Sequence, residues 1–190
     1  MNALLQLLDE RGHLIADGAM GTNLFMLGLE TGNSPELWNV ETPEKVASVH
    51  RGFLEAGSDI VLTNSFGGTA QRLKLHGAQD RVAELNAAAA RICRAEVDRW
   101  AEETGKRCLV AGSMGPTGEL FEPLGALTPA TGEAAFAAQA EGLAEGGADL
   151  LWIETISSAE EVAAAVAGAA PTGLPIVATL TFDTNARTMK

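Results

Sequence analysis

Two acids stand where an apolar run breaks off. Leu14-Ile15-Ala16 leads into Asp17 and then Gly18-Ala19-Met20-Gly21-Thr22, and Asp149-Leu150-Leu151-Trp152-Ile153 leads into Glu154-Thr155. A buried parallel strand delivers a carboxylate to its C-terminal end in this way. Gly18 and Gly21 suit a sharp turn and a close backbone approach to a ligand. The carboxylate of Asp17 can hold a cation while the N–H groups of the turn hold an anion, which together suit the zwitterionic head of an amino acid. An Asp-Gly step after a strand is also an ordinary turn. Thr63-Asn64-Ser65-Phe66-Gly67-Gly68 follows Ile60-Val61-Leu62 on the same plan, either shaping a pocket or forming a structural turn.

These residues need a scaffold that brings strand ends together. Apolar runs predict strands near residues 14–16, 59–63, 108–112, 149–154 and 176–180. Between them lie helical patterns. A short helix covers residues 3–10, before the first strand. Thr42-Pro43-Glu44 opens another, with Thr as cap, Pro at the first position and Glu against the dipole; it ends at Gly57. A long helix spans about 79–103, a further one 132–145, and Ser158-Ala159-Glu160-Glu161 is a capping box for the next. Residues 28–35, with Gly28, Gly32, Asn33 and Pro35, read as a long polar loop. Apolar strands alternating with helices predict an α/β fold with a parallel sheet, either an open doubly wound sheet or a (β/α)₈ barrel. In both, ligands bind at the C-terminal strand ends, where Asp17, Thr63-Asn64, Ser113 and Glu154 would sit.

Composition narrows the partners. The chain has 190 residues, a net charge of −12, no Tyr, three Trp and six Phe. That balance argues against a nucleic-acid backbone or stacked bases as ligand. No run is long enough to span a membrane and no signal-peptide pattern opens the chain, so the expected location is cytoplasmic. Neither a dinucleotide fingerprint nor a P-loop occurs. Cys93 and Cys108 are too few for a disulfide framework and too far apart for a close-spaced zinc motif.

Asp17-Gly18-Ala19-Met20-Gly21-Thr22, Thr63-Asn64-Ser65-Phe66, Gly115-Pro116-Thr117-Gly118 and Glu154-Thr155, in that order and spacing, resemble the homocysteine S-methyltransferase family. Its members include the N-terminal module of cobalamin-dependent methionine synthase and betaine–homocysteine methyltransferase. The resemblance runs from about Leu14 to Phe182. It implies a (β/α)₈ TIM barrel, of which this chain supplies about the first five βα units. It also implies methyl transfer from a donor to the zinc-activated thiolate of homocysteine, giving methionine. Asp17, with the backbone of Gly18 and Ala19, matches the turn that holds the amino-acid head. Glu154 matches the strand-four glutamate that contacts homocysteine, although a buried acid paired within the barrel is the alternative. Thr63, Asn64 and Ser65 match residues that shape the pocket.

The family's zinc is held by three cysteines in later barrel units, and neither of their sequence contexts occurs here. Cys93 falls in a helix and Cys108 at the start of a strand, away from the site. His13, His50 and His76 lack ligand spacing. No catalytic or metal-binding residue is therefore expected among the 190, and any cobalamin would sit in a partner module. With Lys190 following the fifth strand, residues 1–190 read as the N-terminal portion of a homocysteine-binding barrel, inactive alone. The rival readings are a non-catalytic binding or assembly fragment that self-associates or completes its barrel with another chain, and a barrel lyase or hydrolase using Asp17 and Glu154 as acid and base.

Overall fold

The structure, a computed structural model, describes residues 2–182. In chain order its elements are α1 (Ala3–Arg11), α2 (Met20–Met26), α3 (Trp38–Glu41), α4 (Pro43–Ala56), β1 (Ile60–Leu62), α5 (Ala70–Leu73), α6 (Val82–Thr104), β2 (Leu109–Met114), α7 (Pro129–Glu145), β3 (Leu150–Ile156), α8 (Ala159–Ala169) and β4 (Ile176–Leu180). The four strands form one parallel sheet in the order β1-β2-β3-β4, each beside its successor in sequence.

Period-two alternation divides the strand residues between two faces. Val61, Val110, Leu151, Ile153 and Ile156 pack beneath α4, α6, α7 and α8, against Leu54, Cys93, Phe136, Leu143 and Ala165. Ile60, Leu109, Ala111 and Leu150 face the other way and meet Leu7 of α1. Every residue of β2 is buried, as expected of a parallel strand covered on both faces. The abundant Ala and Gly have a packing role. A Cβ at Gly168 of α8 would lie 2.5 Å from the Glu133 carbonyl oxygen of α7, so these helices approach closely only because that position is bare.

The expected strand at 14–16 is reduced to one parallel bridge, Ala16 to Ile60. The Ile15 N–H is taken by the Asp59 carboxylate at 2.8 Å instead of a backbone carbonyl, which shortens the ladder at its start. The Asp17 N–H still reaches the Ile60 carbonyl at 3.0 Å, so the run stays docked against β1. Immediately afterwards the chain turns helical. Gly21 lies inside α2, and neither Gly18 nor Gly21 takes a left-handed conformation, contrary to the sharp turn expected of them. Gly18 is needed for room instead, since a Cβ there would lie 3.2 Å from the Phe53 ring.

Other boundaries moved for local reasons. The loop expected around residues 28–35 is flanked by α2 and by a short 3-10 turn at Pro35–Leu37. Thr42 precedes α4, but its hydroxyl makes no cap; the Lys45 N–H goes to the Thr42 carbonyl at 3.0 Å. The Ser158 hydroxyl caps α8 by accepting from the Glu161 N–H at 3.1 Å. The reciprocal half of that capping box is missing because the Glu161 carboxylate binds Thr117 instead.

Candidate functional site

The C-terminal ends of β1, β2 and β3, with the Asp17–Gly21 segment, enclose a cavity of about 560 Å³. Asp17, Gly18, Ala19, Thr63, Asn64, Ser65 and Glu154 all line it, as do Ser113, Glu36, Phe66, Arg72 and His76. Every residue singled out from sequence as a substrate contact thus borders one space. His76, given no role from sequence, borders it too.

Asp17 is half-buried, and its Oδ2 accepts the Leu62 N–H at 2.9 Å. Burial pushes its carboxyl from an ordinary 3.8 up to about 7, opposed by the Leu62 hydrogen bond and reinforced by the charge of Glu154. Burial likewise raises the Glu154 carboxyl, opposed by a hydrogen bond from the Ser113 hydroxyl to Oε1 at 2.5 Å. Two carboxyls that burial raises in one cavity mark it as a candidate functional site, and a cation placed between them would favour their ionised forms.

The aim of Glu154 follows strand alternation, and an irregularity in β3 comes directly after it. Leu150 and Trp152 lie on the face toward α1, and alternation places Glu154 with them. Ile156 nevertheless packs on the helical side, beside Ile153. One extra residue must therefore be absorbed, and the β3–β4 register shifts between Ile153 and Ile156. Thr155 absorbs it in a left-handed conformation, φ 62°, which a β-branched residue adopts rarely.

The wall beside the acids is a closed hydrogen-bond ring. The Ser113 N–H donates to the Thr63 hydroxyl at 3.0 Å, and the Ser65 hydroxyl donates to the Ser113 carbonyl at 2.7 Å. Since the Ser65 hydrogen is thereby used, the 2.6 Å contact between Thr63 and Ser65 has Thr63 as donor. The Asn64 amide points away from these hydroxyls, donating to the Pro35 carbonyl at 2.7 Å and to Asn39 Oδ1 at 3.0 Å. These three side chains spend their polar atoms holding the wall in shape.

Sequence reading missed the supports behind that wall. Gln139 of α7 donates to the Ser65 carbonyl at 2.7 Å, and Asn86 of α6 donates to the Gly68 carbonyl at 2.8 Å. Each is a polar residue on an otherwise apolar buried helix face, a signal available in the sequence. Glu36 accepts the Ser34 hydroxyl at 2.5 Å and the Gly67 N–H at 2.7 Å. Nothing in its surrounding sequence marks it. Glu161 holds the Gly115–Gly118 loop through the Thr117 N–H and hydroxyl, at 2.8 and 2.7 Å.

A parallel α/β sheet with paired acids in a cavity at its C-terminal edge defines a small-molecule-binding domain, with the site where such sheets carry one. Residues 14–190 match the family described as Homocysteine S-methyltransferase, and the chain belongs to that family. It is 34% identical over 195 residues to methionine synthase of Mycobacterium tuberculosis (strain ATCC 25618 / H37Rv), covering 95% of this chain and 16% of that protein. Methionine synthase of Mycobacterium leprae (strain TN) is 34% identical over 173 residues, covering 87% of this chain and 14% of its own length. The crystal structure of the homocysteine methyltransferase MmuM from Escherichia coli, metallated form, superposes with a TM-score of 0.81 at 27% identity, covering 95% of this chain and 66% of that one. This chain therefore spans about two thirds of MmuM and a small part of either methionine synthase.

MmuM is known in a metallated form, so the fit of this chain's residues to a metal matters. Among the described residues no group of three or more His, Cys, Asp and Glu could hold a metal ion. The thiols lie buried and apart: Cys93 Sγ faces the Val61 carbonyl at 3.7 Å and Cys108 Sγ the Ser58 carbonyl at 3.3 Å. Burial raises both above the ordinary thiol range, and neither lines the cavity. The described residues do not fit a metal centre. No described helix is long and apolar enough to cross a membrane.

Proposed function

We propose that this chain is the amino-acid-recognition part of a homocysteine S-methyltransferase, residues 1–190 forming the N-terminal portion, about five βα units, of a (β/α)₈ barrel. The observation that carries the reading is the pairing of Asp17 and Glu154 over one cavity. The two carboxylates clamp the ammonium of homocysteine through charge-assisted hydrogen bonds. The backbone near Gly18 and Ala19 lies alongside, and the Thr63-Asn64-Ser65 wall fixes the pocket's shape. Binding in a half-buried pocket holds the thiol where a methyl donor can reach it, which is the positioning share of catalysis.

Homocysteine must react as its thiolate. Asp17 and Glu154 are poor bases for that purpose once they are committed to the ammonium. The zinc that activates the thiol in this family, and any cobalamin that carries the methyl group, are assigned on this reading to parts of the protein or its partners outside residues 2–182. The methyl donors used by relatives include methylcobalamin, betaine, dimethylsulfoniopropionate and S-methylmethionine, and the reading holds for each.

Titration calorimetry with L-homocysteine tests it. Asp17→Ala and Glu154→Ala should each weaken binding at least about tenfold, the scale of a lost hydrogen bond to a charged group, with the thermal melt of each variant retained. Binding equal to the parent in both variants would show that the acids are not an ammonium clamp.

A further inference from the structure

The cavity of Asp17 and Glu154 has a cation on its lining as well. Arg72 of α5 borders the same space. Its guanidinium makes no hydrogen bond or ion pair among the described residues, whereas every other described arginine pairs with an Asp or Glu. Two nearby acids are engaged elsewhere: Glu36 by Ser34 and Gly67, Glu161 by Thr117. Arg72 is half-buried, so part of its hydration is lost without a protein partner to replace it.

The side chain lies against the next loop. Gly118 has φ +79°, and a Cβ there would lie 3.1 Å from Nη1 and 3.3 Å from Cδ of Arg72. The Gly115–Gly118 loop, tied down at Thr117 by Glu161, therefore packs against this side chain. His76 adds a second basic group to the lining. An unpaired guanidinium, held beside a cavity in a chain of net charge −12, calls for an anion of its own geometry.

We infer that Arg72 is a carboxylate-recognition residue of this cavity, binding the carboxylate of a small ligand in the space that Asp17 and Glu154 also line. The inference rests on the reading of the cavity as an amino-acid site. Two sources share the chemistry: the α-carboxylate of homocysteine itself, and the carboxylate of a methyl donor such as glycine betaine or dimethylsulfoniopropionate. Either offers the planar, two-oxygen anion that a guanidinium fork grips at two points.

The test uses the 190-residue chain and ligand-detected NMR titrations with three probes. γ-Mercaptobutyrate is homocysteine without its amino group, homocysteamine is homocysteine without its carboxylate, and glycine betaine represents the donors. Arg72→Gln should weaken at least one carboxylate probe about tenfold or more and leave homocysteamine unchanged, with Arg72→Lys in between because it keeps the charge and loses the fork. Loss for γ-mercaptobutyrate assigns Arg72 to the amino acid, and loss for glycine betaine assigns it to the donor. Asp17→Asn should do the reverse, weakening homocysteamine and sparing γ-mercaptobutyrate, the carboxylate probe without a cation. Failure of that arm alone removes the ammonium clamp and leaves Arg72 in place. The inference is overturned by carboxylate probes that ignore Arg72→Gln or do not bind the parent chain. It is equally overturned by an Arg72→Gln effect of the same size on homocysteamine, which would mark a packing residue.

Discussion

Asp17 shows how an acid that lines the cavity is held at a cost to the fold. Its carboxyl titrates near 7 in the folded chain, against an ordinary 3.8. The folded state thus keeps a proton that the unfolded state has released. The contribution of Asp17 to stability is therefore greatest below about pH 4, falls as pH rises from about 4 to about 7, and is level above that. Asp17→Asn keeps an oxygen to accept the Leu62 N–H and removes the buried charge. That variant should be more stable than the parent at pH 8 by about 1–2 kcal/mol, discounted for the partial exposure of the site, and no more stable at pH 4. Urea unfolding at the two pH values measures this, and a parent more stable than the variant at pH 8 would mean that Asp17 is a structural acid. A bound ammonium should favour the ionised carboxylate, so homocysteine binding near pH 7 should release a proton. Calorimetry in buffers of different ionisation enthalpy reads that release directly.

At the scale of elements, the cavity wall is held from behind by the helices. Gln139 lies on the buried face of α7, between Phe136 and Ala140, and its amide reaches the Ser65 carbonyl. Asn86 plays the same part from α6. Gln139→Leu preserves bulk and removes one of two donors to the Ser65 carbonyl, which keeps the Gly68 N–H at 2.9 Å, so it should cost about 1 kcal/mol in urea unfolding and weaken homocysteine binding although it does not border the cavity. A neutral result would show that the Gly68 N–H alone holds that carbonyl and that Gln139 is not a support of the wall. These supports follow from helix periodicity, and the acids at the ends of apolar runs follow from strand patterning; both were legible in the residues. The β3 bulge was not. Ile153-Glu154-Thr155-Ile156 reads as simple alternation, and only the need of Ile156 to reach the helical core forces Thr155 into the left-handed region. The first strand was legible as an apolar run, but its reduction to one bridge depends on the Asp59 side chain, which no local pattern announces. Arg72 and Glu36 likewise acquire their places through contacts between distant segments.

At the scale of the whole molecule, the four strands are unequally covered. β2 is buried throughout, whereas among the described residues β4 pairs with β3 alone and its last three residues are exposed. Leu180 is 49% exposed and Phe182 52%, and at the opposite margin of the sheet Ile15 is 54% exposed. A parallel strand paired on one side only and flanked by apolar side chains is a template for further strands. In a complete barrel of this family, later units would supply them; in the 190-residue polypeptide, a second copy is the available surface. The net charge of −12 opposes that association, and salt weakens the opposition by shortening the reach of the charges, to roughly 8 Å at physiological ionic strength. The chain should therefore self-associate in sedimentation velocity at about 50 μM, more strongly at high salt than at low salt. Leu180→Lys places a charge on the open edge and should shift the population toward monomer without loss of helicity by circular dichroism. A parent chain that stays monomeric at high salt would show that the exposed β4 edge is protected by its own geometry, and that the barrel-completing role assigned to it is wrong.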